Sequence, residues 1–380
     1  MKVHALILAA GFSTRMEPHF KPLLPLPLSE GRVSALAAVC RLYQEEGVSP
    51  IVVGGNRAED TKREAEGLGA AFALNAHPER GMFSSIRAGV AALPPDDTHF
   101  FVHPVDIPLV RRMTVRTLLE QAETSGDRPL IPFYRGESGH PPLFPASLAR
   151  AVLAAGDDGC LRDMVTSALP LSVPVADSFI LRDMDSPEDY SALCSLAPGQ
   201  DTLSPEEALE LLDVRHVPDI GKRHCLAVGA VAERFAQVLN EARASRGQAP
   251  LNPSLAKAGG FVHDICKGER CHEAAAGRLL RTCGLVRMAT LVEAHRDMTL
   301  PDNLPFTERE LVFLADKYVR GKWPVTLEER FHSKMELFAG DDAAVAAIEG
   351  RMKRAQAMAI RLAEECGRAP AELAREALAE

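Results

Sequence analysis

Two sets of residues in this 380-residue chain have types and spacings suited to chemistry. The first is compact. An apolar run, Val3–Leu8, leads into Ala9, Ala10 and Gly11, with Arg15 and Lys21 following on the same loop. Small residues after a strand let backbone N–H groups approach a polyphosphate closely, and the two cations would offset its charge. An ordinary strand-to-helix loop with two surface cations fits the same residues. The loop has neither the GK[ST] of a Walker A loop nor a G-x-G-x-x-G fingerprint, which argues against P-loop ATPases and Rossmann dehydrogenases. The second set is dispersed: His224, the pair His263 and Asp264, then His272, His295 and Asp316. Adjacent His and Asp can reach one metal ion, with the other ligands coming from other helices. His224 lies four residues before Val228 and so shares its helix face. Asp316 stands in the apolar stretch FLADKYV, where an unpaired carboxylate is costly to bury and a metal would neutralise it. Single histidines on helices are more often core or surface residues, and His19, His77, His216 and His332 are read that way. His272 precedes Glu273, so it fits either a ligand or a solvent-facing pair.

The elements that must carry these residues differ between the two halves. In the first half, short apolar runs (3–8, 51–53, 71–74, 99–102, 129–131, 171–175) alternate with segments of helical spacing (34–43, 84–93, 115–122). This alternation predicts an α/β fold with a mainly parallel sheet, whose ligands sit at the carboxyl ends of the strands. The second half reads as all helix. Val228, Val231, Phe235 and Val238 are spaced 3, 4 and 3, and 271–283, 307–319 and 341–366 are helical by length and composition. Pro198 and Gly199 break the chain, and Ser204 with Glu207 forms a capping-box pattern that starts a new helix. The expected organisation is an α/β domain over 1–197, a linker at 198–204, a helical domain over 205–340 and a helical extension over 341–380.

Composition narrows the function classes. The net charge is −9, which argues against a nucleic-acid-binding protein and means that phosphate binding needs specific cations or metals. No apolar run reaches the ~18 residues of a membrane span. The short apolar N-terminus is read as a buried strand rather than a signal peptide. The eight cysteines form no CxxC pair and are expected to be reduced thiols of a cytoplasmic enzyme.

The first set continues in order into motifs that resemble the MobA/MocA-like nucleotidyltransferases, the molybdenum-cofactor guanylyl- and cytidylyltransferases. LILAAGFSTRM…KPLL is similar to their signature loop, GMFSSIRAGV (81–90) to their glycine–serine segment beside the nucleobase, and PVDIP (104–108) to their metal-binding aspartate. GHPPLF (139–144) and DMDSPEDY (183–190) are similar to their GHPxLF and DxDTPEDL motifs. The resemblance covers residues 1 to about 195. It implies triphosphate binding by Arg15 and Lys21, nucleotide contacts by Ala9, Ala10, Gly11, Gly81 and Ser85, and Mg2+ ligation by Asp106. Asp106 also fits a strand-end residue capping the next helix, and Ser84 or Ser85 a helix N-cap. Asp185 fits a metal ligand or a cap, because Asp185 to Glu188 reads as a helix start. Asp183 is a weaker candidate, and His140 fits a substrate contact or a turn histidine. The Ala9-Ala10-Gly11 form resembles the cytidylyl branch, although Glu17-Pro18 replaces the glycine that usually follows Arg-Met.

The second set, with FVHDICK and FLADKYV, resembles the HD-domain metal-dependent phosphohydrolases over roughly 205–340. That resemblance implies ligands His224, His263, Asp264 and Asp316, with His272 and His295 at a second metal. Lys267, on the helix face of Asp264, would stabilise phosphoryl charge. One or two divalent transition metals such as Mn2+, Fe2+ or Ni2+ would set a hydroxide in line with a phosphate ester. The expectation is a bifunctional enzyme without nucleic-acid or membrane partners. Its first half would transfer a nucleotidyl group from an NTP, CTP by preference, to a phosphorylated acceptor such as molybdopterin, with molybdoenzyme maturation partners implied. The alternative is a sugar- or alcohol-phosphate nucleotidyltransferase whose HD half is a non-catalytic nucleotide sensor.

Overall fold

The computed structural model describes residues 1–156, 159–293, 295–301 and 303–379, and divides into two compact units, Met1–Gln200 and Asp201–Glu380. The first contains β1 (Val3–Ala9), β2 (Pro25–Leu28), β3 (Gly31–Ser34), α1 (Ala35–Glu45), β4 (Ser49–Gly54), α2 (Ala58–Gly67), β5 (Ala71–Leu74), α3 (Met82–Ala91), β6 (His99–Pro104) and α4 (Arg112–Ala122). These are followed by β7 (Leu130–Tyr134), β8 (Glu137–Ser138), β9 (Leu143–Pro145), α5 (Ala146–Ala154), α6 (Leu161–Ser167), β10 (Leu171–Pro174) and α7 (Pro187–Leu196).

The main sheet has the order β10-β7-β9-β6-β1-β4-β5, with β8 on β7. β1 pairs in parallel with β4 and β6, β4 with β5, and β10 with β7, whereas β9 runs antiparallel between β6 and β7. The alternation of side chains along β1 feeds both faces. Ala5 and Ile7 pack in a core with Leu36, Val39, Val115 and Leu118 of α1 and α4, while Leu6 and Leu8 pack with Ile86, Val90, Leu148 and Val152 of α3 and α5. Helices thus cover both faces of the mainly parallel sheet, as the near-continuous apolar strands require. The hairpin β2–β3 was not legible in the sequence, because its strand is PLPL and its pairing is local.

The second unit contains α8 (Pro205–Val214), α9 (Asp219–Ala244), α10 (Pro253–Val262), α11 (His272–Thr282), α12 (Val286–Val292), α13 (Glu308–Lys317), a small β11–β12 ribbon (Val319–Arg320, Trp323–Pro324), α14 (Leu327–Leu337), α15 (Asp342–Cys366) and α16 (Pro370–Ala377). The Ser204–Glu207 capping box opens α8. Val228, Val231, Phe235 and Val238 of α9 form one buried stripe. α9 and α10 approach closely at Gly229 and Gly260: a Cβ on Gly260 would lie 2.5 Å from the Gly229 Cα. This backbone proximity sets His224 and His263 within one cluster. Ile348, Met358 and Leu362 of α15 and Leu373 of α16 belong to the same core as the α9 stripe, so the C-terminal helices complete it. Among the described residues no helix is long and apolar enough to cross a membrane. All eight cysteines are free.

Candidate active and metal sites

The carboxyl ends of β1 and β6 open onto a cavity of about 310 Å3. Its wall joins segments far apart in sequence: Ala9, Ala10 and Gly11 after β1, Lys21, Gly81 and Ser85 at α3, and Asp106 after β6. Lys21 Nζ lies 2.6 Å from Asp185 Oδ1 and 3.2 Å from Asp106 Oδ2, and Arg15 Nη2 lies 2.8 Å from Asp185 Oδ2. The hydrogen bond from Lys21 holds the Asp185 carboxyl below its ordinary range, overcoming the opposing effect of partial burial, with Arg15 adding to the shift. The neighbouring Asp183 is raised by desolvation first, then by repulsion from Asp185 and Asp106. The Asp106 carbonyl accepts from Met184 N at 2.9 Å, which ties the PVDIP and DMDSPEDY segments together.

The capping alternatives meet a different arrangement. The N-cap of α7 is Ser186, in a capping box with Asp189, one residue later than the sequence suggested; Asp185 is left to its cations. α4 begins at Arg112 behind Arg111, so Asp106 caps nothing. α3 begins at Met82 behind Gly81, whose φ of 86° lies in the region that glycine favours. Ser84 and Ser85 are therefore inside the helix. Ser84 Oγ donates to the Gly81 carbonyl at 2.8 Å, and the buried Ser85 hydroxyl accepts from Asn75 Nδ2 at 3.0 Å. Asn75, buried just past β5, also bonds Ser84 Oγ and the His77 N–H. Sequence reasoning missed it, though a polar residue closing an apolar strand, LNAHPERG, is the available signal. His140 is half-buried beside Asp106, and burial lowers its pKa. Its Nδ1 is buried without a hydrogen-bond partner.

In the second unit His224, His263 and Asp316 form one potential metal-binding group, and His263, Asp264 and His295 another. The histidines are aimed by the backbone. His224 Nδ1 lies 3.0 Å from the Gly321 carbonyl, His263 Nδ1 2.7 Å from that of Gly260, and His295 Nδ1 2.7 Å from that of Val292. A carbonyl only accepts, so each Nδ1 carries the proton and each Nε2 lone pair faces inward. The His224 and His263 Nε2 atoms lie 3.3 and 3.7 Å from Asp316 Oδ1, and 3.7 and 3.6 Å from Asp264 Oδ2. The other oxygen of Asp264 faces His272 Nε2 at 3.3 Å and His295 Nε2 at 3.5 Å. One carboxylate thus addresses both sets. Lone pairs turned toward carboxylates need a cation between them, and the buried His263 Nε2 has no hydrogen-bond partner. The donor set fits divalent metal.

Burial lowers the His263 pKa; His272 is raised, first by its hydrogen bond to Asp264. Burial works to raise Asp264 and Asp316, but both end well below the ordinary carboxylate range. His263 dominates the opposing effects on Asp264, and Lys317 those on Asp316. Lys317 Nζ lies 2.8 Å from Asp316 Oδ2 and donates to the His295 carbonyl at 2.8 Å, a contact with no sequence signal beyond adjacency to Asp316. The expected helix face for Lys267 is corrected: α10 ends at Val262, and Asp264 and Lys267 stand on the turn behind it. Lys267 still reaches Asp264 Oδ2, at 2.5 Å, while its side chain remains largely exposed.

Sheet and cavity define an α/β nucleotide-handling class of domain, and the helical cluster a metal-binding one. Residues 5–171 match the family model of the MobA-like NTP transferase domain, and residues 222–321 match that of the HD domain. Over 51% of its length the chain is similar to a nucleotidyl transferase from Methanothermobacter thermautotroptrophicus, with 25% identity, 96% of that chain covered and a TM-score of 0.45. It is also similar to Rv0371c from Mycobacterium tuberculosis, with 22% identity, 51% of this chain and 98% of that chain covered, and a TM-score of 0.43. A third similar structure is molybdopterin-guanine dinucleotide biosynthesis protein A from Archaeoglobus fulgidus, with 19% identity, 52% and 98% coverage, and a TM-score of 0.40. No curated protein matches the chain.

Proposed function

We propose that the first unit transfers a nucleotidyl group from an NTP, CTP by preference, to a phosphorylated acceptor such as molybdopterin, and that the second hydrolyses a phosphate ester. The observation that supports the first activity is the single cavity in which the β1 loop, the α3 start, Lys21 and Asp106 meet. An acceptor phosphate oxygen would attack the α-phosphorus and expel pyrophosphate. Such reactions depend on placement and charge stabilisation more than on covalent help. The Ala9–Gly11 backbone lies against the phosphates, with open space where a Gly11 side chain would stand. Gly81 and Ser85 receive the nucleobase end. Lys21 and Arg15 turn from Asp185 toward the triphosphate and stabilise its charge. Asp106 and Asp185 would hold Mg2+, which supplies further charge neutralisation when bound. The test is to incubate the protein with each NTP and candidate phosphorylated acceptors and measure pyrophosphate release. CTP-dependent release with a pterin phosphate supports the full reading; release only with sugar or alcohol phosphates keeps the reaction and replaces the acceptor.

In the second unit, His224, His263, Asp264 and Asp316 would hold one transition-metal ion of the Mn2+, Fe2+ or Ni2+ type, with His272, His295 and the far oxygen of Asp264 available to a second. When bound, these ions supply water activation and polarisation of the phosphoryl group. The backbone carbonyls fix each imidazole, and Lys267, with its exposed side chain, receives the phosphate. A complete set of inward donors favours hydrolysis over a purely sensory role. Metal analysis of the purified chain with a phosphatase screen tests this: metal without turnover on any phosphate ester favours the sensor.

A further inference from the structure

We infer that His103 is a positioning residue for Asp106, itself held in one tautomer by Tyr43. The inference rests on the reading of Asp106 as a ligand in nucleotidyl transfer. His103 stands on β6, fully buried and three residues before Asp106. Its Nε2 lies 2.9 Å from the Ile107 carbonyl, which only accepts, so Nε2 carries a proton. Burial pushes the imidazole pKa down to about 4, so the ring is neutral and Nδ1 is an acceptor. Tyr43 of α1, also fully buried, places its hydroxyl 2.8 Å from Nδ1. Burial raises the Tyr43 pKa well above its ordinary value, so the phenol keeps its proton and donates it. The direction of both bonds is therefore fixed: Tyr43 donates to His103, and His103 donates to the Ile107 carbonyl, one residue beyond Asp106.

The consequence is geometric. The loop that carries Asp106 is held at Val105 by the Leu8 carbonyl (3.1 Å) and at the Asp106 carbonyl by Met184 N (2.9 Å). The imidazole adds a hold on the far side of Asp106, anchored to a helix in the core. Two buried polar groups among Ile7, Phe101 and Val39 are costly unless each is paired, and here they are paired only in this order. A displacement of about 1 Å at a reacting group can cost on the order of 100-fold in rate. The loop carbonyl thus has a specified partner where an apolar side chain would leave Ile107 without its imidazole donor.

The test compares His103→Phe, His103→Gln, Tyr43→Phe and Asp106→Asn in the full chain. Readouts are kcat and KM for the NTP, the Mg2+ concentration for half-maximal rate, direct Mn2+ titration with a non-hydrolysable NTP, thermal unfolding, and 15N NMR of the imidazole. His103→Phe should lower kcat by ~10- to 100-fold and weaken Mn2+ binding ~10-fold, with KM for the NTP changed less. His103→Gln keeps a donor for the carbonyl and should recover most of kcat even if its unfolding temperature falls as far as that of His103→Phe. Tyr43→Phe should fall between them, and the wild-type ring should report a proton on Nε2. If Asp106→Asn loses turnover while His103→Phe keeps its kcat and Mn2+ affinity, or if Phe and Gln at 103 lose equally, the positioning role is overturned. A proton on Nδ1 overturns it as well. If Asp106→Asn itself keeps its turnover, the reading of Asp106 fails, and the inference falls with it.

Discussion

The two units present carboxylates in opposite ways. At the sheet edge, Asp106 and Asp185 are balanced by Lys21 and Arg15, long side chains on a loop that can exchange a carboxylate for an incoming phosphate. In the helical unit, Asp264 and Asp316 are buried and meet imidazoles whose direction is fixed by main-chain carbonyls. Partial exposure with long cationic side chains as counter-charges suits a site that must admit a polyanion; burial with fixed lone pairs suits one that retains an ion. The difference in burial, more than in residue type, separates the two chemistries.

The contrast breaks first at its largest expected effect. Asp106→Asn and Lys21→Ala should each lower pyrophosphate release by about 100- to 1000-fold while leaving the metal content of the helical unit unchanged. Normal release by Lys21→Ala would remove the cation-exchange picture. Next, His263→Ala combined with Asp264→Ala should strip the bound transition metal and any phosphohydrolase activity, measured by elemental analysis and ester cleavage. Unpaired groups left around Asp316 should cost about 1–3 kcal/mol of stability, while nucleotidyl transfer survives. Loss of transfer without unfolding would mean that the sites are coupled, as the sensor alternative requires.

Acid sharpens the comparison. His103 has a folded pKa of about 4 against an ordinary value of 6.5, so below about pH 6.5 the unfolded chain binds a proton that the folded chain does not. Its share of stability is complete above pH 6.5 and falls as the pH drops toward 4, by on the order of 3 kcal/mol in all. In the helical unit His272 has the opposite sign to His263: its raised folded pKa gives stability that is full below pH 6.5 and lost as the pH rises from there through the raised folded value, so the two histidines act against each other. Between pH 7 and 5 the first unit should therefore lose more unfolding temperature than the second. Trp323, the sole tryptophan, reports the second by fluorescence, and hydrogen exchange reports the first. Equal losses would contradict the assignment. The smallest effect separates neighbours: Ser186→Ala should cost about 1 kcal/mol of stability with nearly normal turnover. Asp185→Asn should do the reverse, and a pure stability loss from it would return Asp185 to a capping role.

Much of this was legible in the sequence because it is local. The 3–4–3 spacing of the α9 stripe, the apolar strands and the Ser204–Glu207 box each involve residues close in the chain. The histidine set was legible by type and order. What was not legible depends on register or on distant partners. Asp185 and Ser186 compete for one cap, and because Ser186 takes it the Asp185 carboxylate is left to Lys21 and Arg15. Asn75 acquires its role only when β5 delivers it to α3. His103 reads as part of an apolar strand until Tyr43, sixty positions earlier, arrives across the core. Lys267 was placed by helical spacing in a stretch where the helix had already ended.

The reversed strand β9 has a consequence for how this scaffold tolerates change. Because it runs against β6, with Phe101 opposite Leu143 and Val102 bonded to the Pro142 carbonyl, its beginning lies at the edge where β6 ends. The Gly139–Pro142 segment, whose His140 feels the charge of Asp106, arrives from upstream, and a side chain on Gly139 would meet the Ile180 carbonyl at 2.5 Å. The opposite end of β9 feeds α5 at the far rim, with Pro145 opposite His99. Chain length is thus constrained on the entrance side of this strand and relaxed on its exit side. A peptide tag or reporter spliced near the exposed Gly156 after α5 should be carried without cost to the nucleotide cavity, whereas the same insertion before Gly139 should disturb the approach of His140 to Asp106.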